Sequence, residues 1–516
     1  MNAVVAMTGA SGHMGQAVVK EVMTLPFVTL KLLFLNEKRE RRLKKRWERL
    51  YGDRVEIFFG NVKNAEDCKR LVCGADYVVN MAAVIPPLAD KRPDLAKDAN
   101  VTGPKNLVAA IEELPLEPKL IHVSTVALYG NRDNIHPWGR VGDPLLPSVY
   151  DEYGMSKLIG ERTVLDSKVK VWAVLRQTGM LYEKLLMSNV SDGLMFHTPF
   201  NVPIEWATDH DSGVLLKNIL KEDCEEAGAD FWKNVYNIGG GAAYRTTGYE
   251  TFDMGFAMIG GGTERFMRPN WHATRNFHCM WFSDSDVLER RYHYQSGSLA
   301  DFWSDIQRKN KYFALAKPLP SSWISALVFK RLLKDANAPY RWVKEGIDGR
   351  IRAFFGSKEK WDAIGEDWSA FPVWCKNEVE GHDYTEEIDP AYASRCLLSH
   401  GYDDNKPNEQ IDLDDIKSAA RFRGGQCRAE SFEKGDVYSA LEWECAEGHG
   451  FRASPFTVLR AGHWCPHCVG EGRWNYDLLA KKNPFYAQVW YDSHERDENT
   501  VYWFDEEHKP RLEVTP

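Results

Sequence analysis

Tyr153 and Lys157 stand four residues apart in a stretch with a helical pattern, so the phenol and the ammonium share one face. A tyrosine of pKa ~10 is a poor acid or base at neutral pH, and a neighbouring cation stabilises its phenolate. Ser124-Thr125 ends an apolar run, with Thr125 standing 28 residues before the tyrosine, where a hydroxyl can orient a substrate oxygen. Far along the chain, Cys445-Ala-Glu-Gly-His449 and Cys465-Pro-His-Cys468 make two close pairs with 15 residues between them. Zinc takes four such N and S ligands tetrahedrally, and four protein ligands make a structural site with no open position. His463, His467 and Cys427 are rival ligands.

The proton-handling pair needs a redox partner, and the N-terminus offers a place for one. Thr8-Gly9-Ala10-Ser11-Gly12-His13-Met14-Gly15 follows the apolar run Ala3–Met7 and leads into a helical pattern. Gly9 permits a tight turn, Gly12 lets the backbone approach a pyrophosphate, and Gly15 lets helix and strand pack closely. The helix N-terminus adds unpaired N–H groups and a partial positive charge. Met14, Val18, Val22 and Leu25 share one face of this helix, and Pro26 stops it. The second strand ends at Asn36, where an acid would normally hold a ribose 2′-hydroxyl. Asn36 is neutral and Lys38, Arg39, Arg41 and Arg42 follow, which favours a 2′-phosphate and hence NADP over NAD. The same cations would also suit the solvated face of a helix. Asn61 and Val62 end the third strand, where they could meet adenine. Met81, Ala82 and Ala83 follow the fourth, small enough for backbone to run beside a cofactor.

These groups require alternating strands and helices to position them. Apolar, β-rich runs at Ala3–Met7, Leu30–Leu35, Val55–Phe59, Tyr77–Asn80, Leu120–Val123 and Val169–Leu175 are separated by helical patterns. The expectation is an α/β fold, a doubly wound parallel sheet of Rossmann type. With 516 residues the chain exceeds one core. We expect three units: residues 1–300 with a small substrate region, a helical extension or linker at 301–420, and a small zinc-binding domain at 421–516. The polar and aromatic segment Asn270–His278 reads as packed aromatics ahead of a pocket lining. A net charge of −9 argues against a general polyanion binder. No apolar run approaches the roughly 20 residues that span a bilayer. Ten scattered cysteines suit a reducing, cytoplasmic setting better than a disulfide framework.

Together the glycine loop, Asn80-Met-Ala-Ala83, Asn100-Val-Thr-Gly103, the Ser124-Thr125…Tyr129-Gly strand end, Tyr153…Lys157, Leu175-Arg176 and Tyr236-Asn-Ile-Gly-Gly240 carry a family resemblance. Residues 1 to about 300 are similar to the extended short-chain dehydrogenase/reductase superfamily, its epimerase/dehydratase-like group. The resemblance implies NAD(P) binding, with Asn100 joining the cofactor-binding set. It implies Tyr153 as acid/base, Lys157 as the residue lowering its pKa and holding nicotinamide ribose, and Thr125, with Ser124 beside it, orienting the substrate. Two departures weaken particular members of the group. Val126 and Ala127 stand where 4,6-dehydratases carry acids, and Gln177-Thr178-Gly179 where nucleotide-sugar epimerases usually have an asparagine. Trp443–Cys468 resembles a zinc-ribbon-like or treble-clef-like module, with one residue inserted in the first knuckle. The expected activity is hydride transfer between nicotinamide and a small-molecule alcohol or carbonyl. A sugar or nucleotide-sugar epimerase is the alternative within enzymes, and an NAD(P)-sensing protein with a zinc interaction module the alternative outside them. Docking or homodimerisation through the zinc module is favoured over nucleic acid, because no dense Lys/Arg cluster accompanies it.

Overall fold

A computed structural model of the chain describes residues 2–185, 192–226, 229–374, 384, 390–470 and 472–515. Seven strands form the central sheet: β1 (Ala3–Thr8), β2 (Val28–Phe34), β3 (Val55–Phe59), β4 (Tyr77–Asn80), β5 (Lys119–Thr125), β6 (Trp172–Gln177) and β7 (Asn234–Ile238). All pairs are parallel, in the order β7-β6-β5-β4-β1-β2-β3. The chain order reverses between β1 and β4, and the crevice beyond their carboxyl ends is where such sheets bind ligands. The expected doubly wound sheet is therefore present. Strand β6 starts later than the apolar run suggested, at Trp172. Strand β7 alternates apolar with polar residues, since it lies at the sheet edge, and only its last residues drew attention in the sequence.

Side-chain alternation sends Val5 and Met7 to one face of the sheet and Ala6 to the other. On the first face, α1 (His13–Val22), α2 (Lys38–Tyr51) and α3 (Asp209–Glu226) bury Val18, Val22, Trp47, Leu215 and Leu216. The second face carries α4 (Gly103–Glu112) and α5 (Glu152–Leu165), the latter holding Tyr153 and Lys157. Helix α5 is buried on nearly every side from Gly154 to Leu165. Such a helix must have protein behind it as well as before it, and the C-terminal region supplies that second layer.

Strands Gln426–Cys427, Leu441–Glu444 and Gly450–Ala453 form one antiparallel sheet, and Arg473–Trp474, Thr500–Phe504 and Pro510–Val514 another. Trp443, Phe456, Trp464 and Trp474 share one continuous apolar cluster with Leu107, Met155 and Trp172 of the nucleotide-fold half. The sequence read residues 421–516 as a small separate module and 301–420 as an extension or linker. In the structure both pack against the first 300 residues. Buried Arg275 pairs with Glu498 at 3.1 Å, and Asp143 meets His400 at 2.9 Å. The change of local pattern near residue 421 is real, but no gap in the packing accompanies it.

Candidate active site and metal centre

Gly9 sits in the left-handed region, φ +69°, and a Cβ there would lie 2.5 Å from the Met81 carbonyl carbon. A Cβ on Gly15 would stand 2.3 Å from the Gly9 carbonyl oxygen, so both glycines are required by close approach. Thr8 links the two strand ends: its hydroxyl donates to Asn80 Oδ1 at 2.7 Å and accepts from the Ala82 N–H at 3.1 Å. Gly12 caps α1 without a side-chain bond, leaving the helix N-terminus to a ligand. Arg39 reaches back from α2 to the Ser11 carbonyl at 2.6 Å. Lys38, Arg41 and Arg42 are exposed, and Asn36 is exposed at the end of β2. The basic stretch thus divides: Arg39 joins the glycine loop, and the other cations face solvent. His13 stacks on Tyr182 with centroids 4.1 Å apart; Met14 and Ser11 are half-buried around the loop.

Two expected cofactor contacts turn inward. Val62 is buried in the core, where a Cβ on Gly103 would meet its side chain at 2.9 Å. Asn100 is wholly buried on a π-bulge, the kind of helix irregularity that recurs at functional sites. Its amide donates to the Val84 carbonyl and to Ser156 Oγ, while its Oδ1 accepts from the Val84 N–H. It ties the loop after β4 to helix α5. Asn61 accepts the Lys63 N–H at the end of β3 and is half-buried. Ala83 is exposed and Met81 and Ala82 half-buried beside the glycine loop.

Helix α5 starts at Asp151, whose Oδ1 accepts the Gly154 N–H at 2.8 Å. Tyr153 lies beside Thr125, which favours the phenolate, and Thr125 Oγ1 accepts the Ala127 N–H. Burial pushes the Tyr153 phenol up to about 12, against the pull of Thr125. Ser124 lies one strand residue earlier and so points to the opposite face, buried and with no hydrogen-bond partner for its Oγ. The structure brings Thr125, Tyr153 and Lys157 together and leaves Ser124 out. Lys157 is buried, and its ammonium donates to the Val123 carbonyl of β5 at 2.7 Å. Burial lowers it to about 8, while Glu161 pulls the other way. In this arrangement the ammonium satisfies itself on strand backbone, because a buried cation must bond the nearest acceptor.

Beneath the pair lies a polar layer the sequence did not flag. Asn80 donates its amide to His122 Nδ1 at 2.9 Å, which leaves the proton on Nε2, an atom without a partner among the described residues. Burial lowers His122 to about 3, and the Lys157 charge adds to the effect. Glu161 is fully buried; its carboxylate accepts Arg176 Nη2 at 2.6 Å and Nε at 3.2 Å. Burial opposes the charge, yet Arg176 and His463 hold Glu161 well below the ordinary carboxylate range. Arg176 also donates to Tyr129 Oη at 2.8 Å. Nothing local in the sequence signals these contacts, since they join residues distant along the chain.

In the C-terminal region, one ligand atom each from Cys445, His449, Cys465 and Cys468 lies within 4.8 Å of every other. The Sγ atoms of Cys445 and Cys468 are 3.5 Å apart, and His449 Nδ1 lies 3.4 Å from Cys468 Sγ and 3.7 Å from Cys465 Sγ. Zn–S bonds of ≈ 2.3 Å fit such separations in a tetrahedron. Hydrogen bonding from Cys468 draws the Cys465 thiol down to about 5, so a thiolate is favoured there before any metal arrives. The rival ligands fall away. His463 turns to Glu161, Cys427 is buried on its own strand opposite Trp443, and His467 is exposed beside His449.

Residues 5–173 match the family model described as the NAD dependent epimerase/dehydratase family. Over 120 residues, 23% of this chain, the sequence is 29% identical to an uncharacterized membrane protein of Methanocaldococcus jannaschii; the match spans 35% of that protein's length. No helix among the described residues of this chain is long and apolar enough to cross a membrane. Among solved structures, a dTDP-glucose 4,6-dehydratase double mutant of Streptomyces venezuelae with NAD bound is 20% identical, TM-score 0.47, covering 60% of this chain and 96% of that one. A UDP-glucuronic acid 4-epimerase of Bacillus cereus in complex with UDP-glucuronic acid and NAD is 18% identical, TM-score 0.46, covering 60% of this chain and 99% of that one. The family model's match takes in the glycine loop and the Tyr153–Lys157 helix and ends at residue 173, a third of the way along the chain.

Proposed function

We propose that the chain is an NAD(P)-dependent oxidoreductase acting on a small-molecule alcohol or carbonyl. The observation that carries this reading is the placement of Tyr153 beside Thr125, with Lys157 one turn further on, behind the glycine loop. A bound nicotinamide dinucleotide supplies or accepts the hydride. Tyr153 gives or takes the substrate proton, Thr125 orients the substrate oxygen, and Lys157 holds the ribose and favours the phenolate as its ammonium turns from Val123. Net redox is preferred to nucleotide-sugar chemistry because Val126 and Ala127 are buried and apolar. Gln177 is engaged by Ser212 at 2.9 Å, away from any substrate diphosphate. NADP is preferred to NAD on Arg39 at the glycine loop and the neutral Asn36. We assign one structural zinc to Cys445, His449, Cys465 and Cys468, and a cytoplasmic setting to the chain. Turnover of an alcohol and carbonyl panel with NADPH and NADH, followed at nicotinamide absorbance, tests the activity. Isomerised product without net cofactor change would give the site to an epimerase.

A further inference from the structure

We infer that Glu161 is a positioning residue for Lys157, and that His463, two residues before the metal-binding Cys465, holds Glu161 in that role. The C-terminal module then belongs to the electrostatic frame of the active site. The inference rests on the reading of Tyr153 and Lys157 as the proton-handling pair.

Tyr153, Lys157 and Glu161 follow one another at four-residue spacing along a single face of α5. Lys157 and Glu161 are both buried, and an uncompensated charge in that setting is costly. Arg176 already donates two hydrogen bonds to Glu161. A third bond nevertheless arrives from outside the nucleotide fold: His463 Nε2 donates to Glu161 Oε1 at 2.9 Å. Two residues earlier, the Ala461 carbonyl accepts Arg176 Nη2 at 2.7 Å. The loop leading into the second metal knuckle thus grips both members of the pair. Arg162, next to Glu161, fixes the same loop by donating to the Trp464 and Arg452 carbonyls at 3.1 Å each. The groups acting on Lys157 are few. Glu161 raises its affinity for a proton, and His122, facing it from β5, is held neutral by burial. Glu161 is the counter-charge that offsets burial and keeps the ammonium charged near neutrality.

The test measures NADH binding to the full-length, metal-loaded protein by cofactor fluorescence between pH 6 and 10. Affinity of the unaltered protein should fall as the pH rises through about 8, where Lys157 loses its charge. Glu161→Gln should move that break down by about one pH unit, making binding roughly tenfold weaker at pH 9. His463→Phe, which keeps ring volume but has no N–H, should move it in the same direction, and His463→Gln should restore it. Thermal midpoints are recorded in parallel, because a lock that is only structural lowers the midpoint and leaves the break in place. If Glu161→Gln fails to fold, His463→Phe carries the test, since it leaves the Glu161–Arg176 pair whole. Folded variants with an unmoved break would overturn the inference alone. Absence of NADH and NADPH binding by the unaltered protein would overturn the reading of the site, and the inference with it.

Discussion

Arg162, on the helix that carries Tyr153 and Lys157, donates to the carbonyl of Trp464 at 3.1 Å, one residue before Cys465 of the proposed zinc site. The catalytic helix and the metal knuckle are therefore neighbours in direct contact. Loss of metal should be felt at the nucleotide site. Purified protein should hold one zinc per chain, and Cys465→Ser should release it. Structural zinc sites carry much of the folding free energy of such modules. Elemental analysis together with hydrogen exchange over residues 152–165 checks this. Faster exchange in the helix on zinc loss is expected; exchange confined to residues after 421 would show that the contact transmits nothing.

Tyr153→Phe should reduce turnover by at least a thousandfold, in keeping with loss of a general acid. Dinucleotide affinity should stay within a few-fold, because the glycine loop and Lys157 are untouched. Lys157→Ala should damage both. Steady-state rates and a cofactor titration decide the matter, and a phenylalanine variant within tenfold of the parent would end the assignment of Tyr153.

Arg39→Glu should weaken NADPH binding by tenfold or more while changing NADH binding much less. The guanidinium donates to the Ser11 carbonyl of the glycine loop. Lys38→Glu, at an exposed position, should have the smaller effect. Equal losses for both dinucleotides would reduce Arg39 to a brace for the loop.

The buried histidines should cost the protein stability in acid, with a partial offset from Asp90, Asp133 and Asp284, which burial raises to about 7, 6 and 6 so that they take up protons in the folded chain over the same range. Burial lowers His122 and His272 to about 3 and His197 to about 4, all below the ordinary 6.5. The unfolded chain binds protons at these positions from pH ~6.5 downward while the folded chain does not. Stability is therefore full above that pH and falls as pH drops, by about 1.4 kcal/mol per unit for each histidine. Urea midpoints between pH 7 and 5 measure this. His122→Gln should remove its share of the slope, and an unchanged slope in that variant would mean that the ring accepts a proton in the folded state.

The nucleotide-binding half was legible because its signals are local. Glycines close to one another, short apolar runs and a Tyr–Lys pair one turn apart all lie within a few residues of what they position. The cluster of Cys445, His449, Cys465 and Cys468 was legible for the same reason, its members falling in two short stretches of chain. Ser124 was misread because Ser and Thr are adjacent in sequence but point to opposite sides of a strand. Val62, expected beside adenine, is buried against Gly103, and Asn100 bonds Val84 and Ser156, a matter of side-chain direction that residue type does not encode. Glu161 and His463 were invisible as partners, being 302 residues apart along the chain. His463 entered the sequence reading only as a competing ligand, since a histidine beside two cysteines suggests metal before it suggests a carboxylate.

Tyr150, three residues ahead of Tyr153, adopts φ +64°. Its hydroxyl donates to the Arg511 carbonyl at 2.8 Å, and its ring packs between Trp474, Tyr502 and Phe504. Left-handed backbone at a bulky residue persists only where its surroundings impose it. Those surroundings are made 361 residues later in the chain. During synthesis the sheet and the glycine loop emerge early, but the turn that launches the catalytic helix waits for the final strands. Such distant pairing slows folding and leaves apolar surface uncovered in the interval. A chain cut between Trp474 and Thr500 would thus hold a nearly complete parallel sheet while the turn ahead of Tyr153 lacked the Arg511 carbonyl and the Tyr502 and Phe504 rings that hold it.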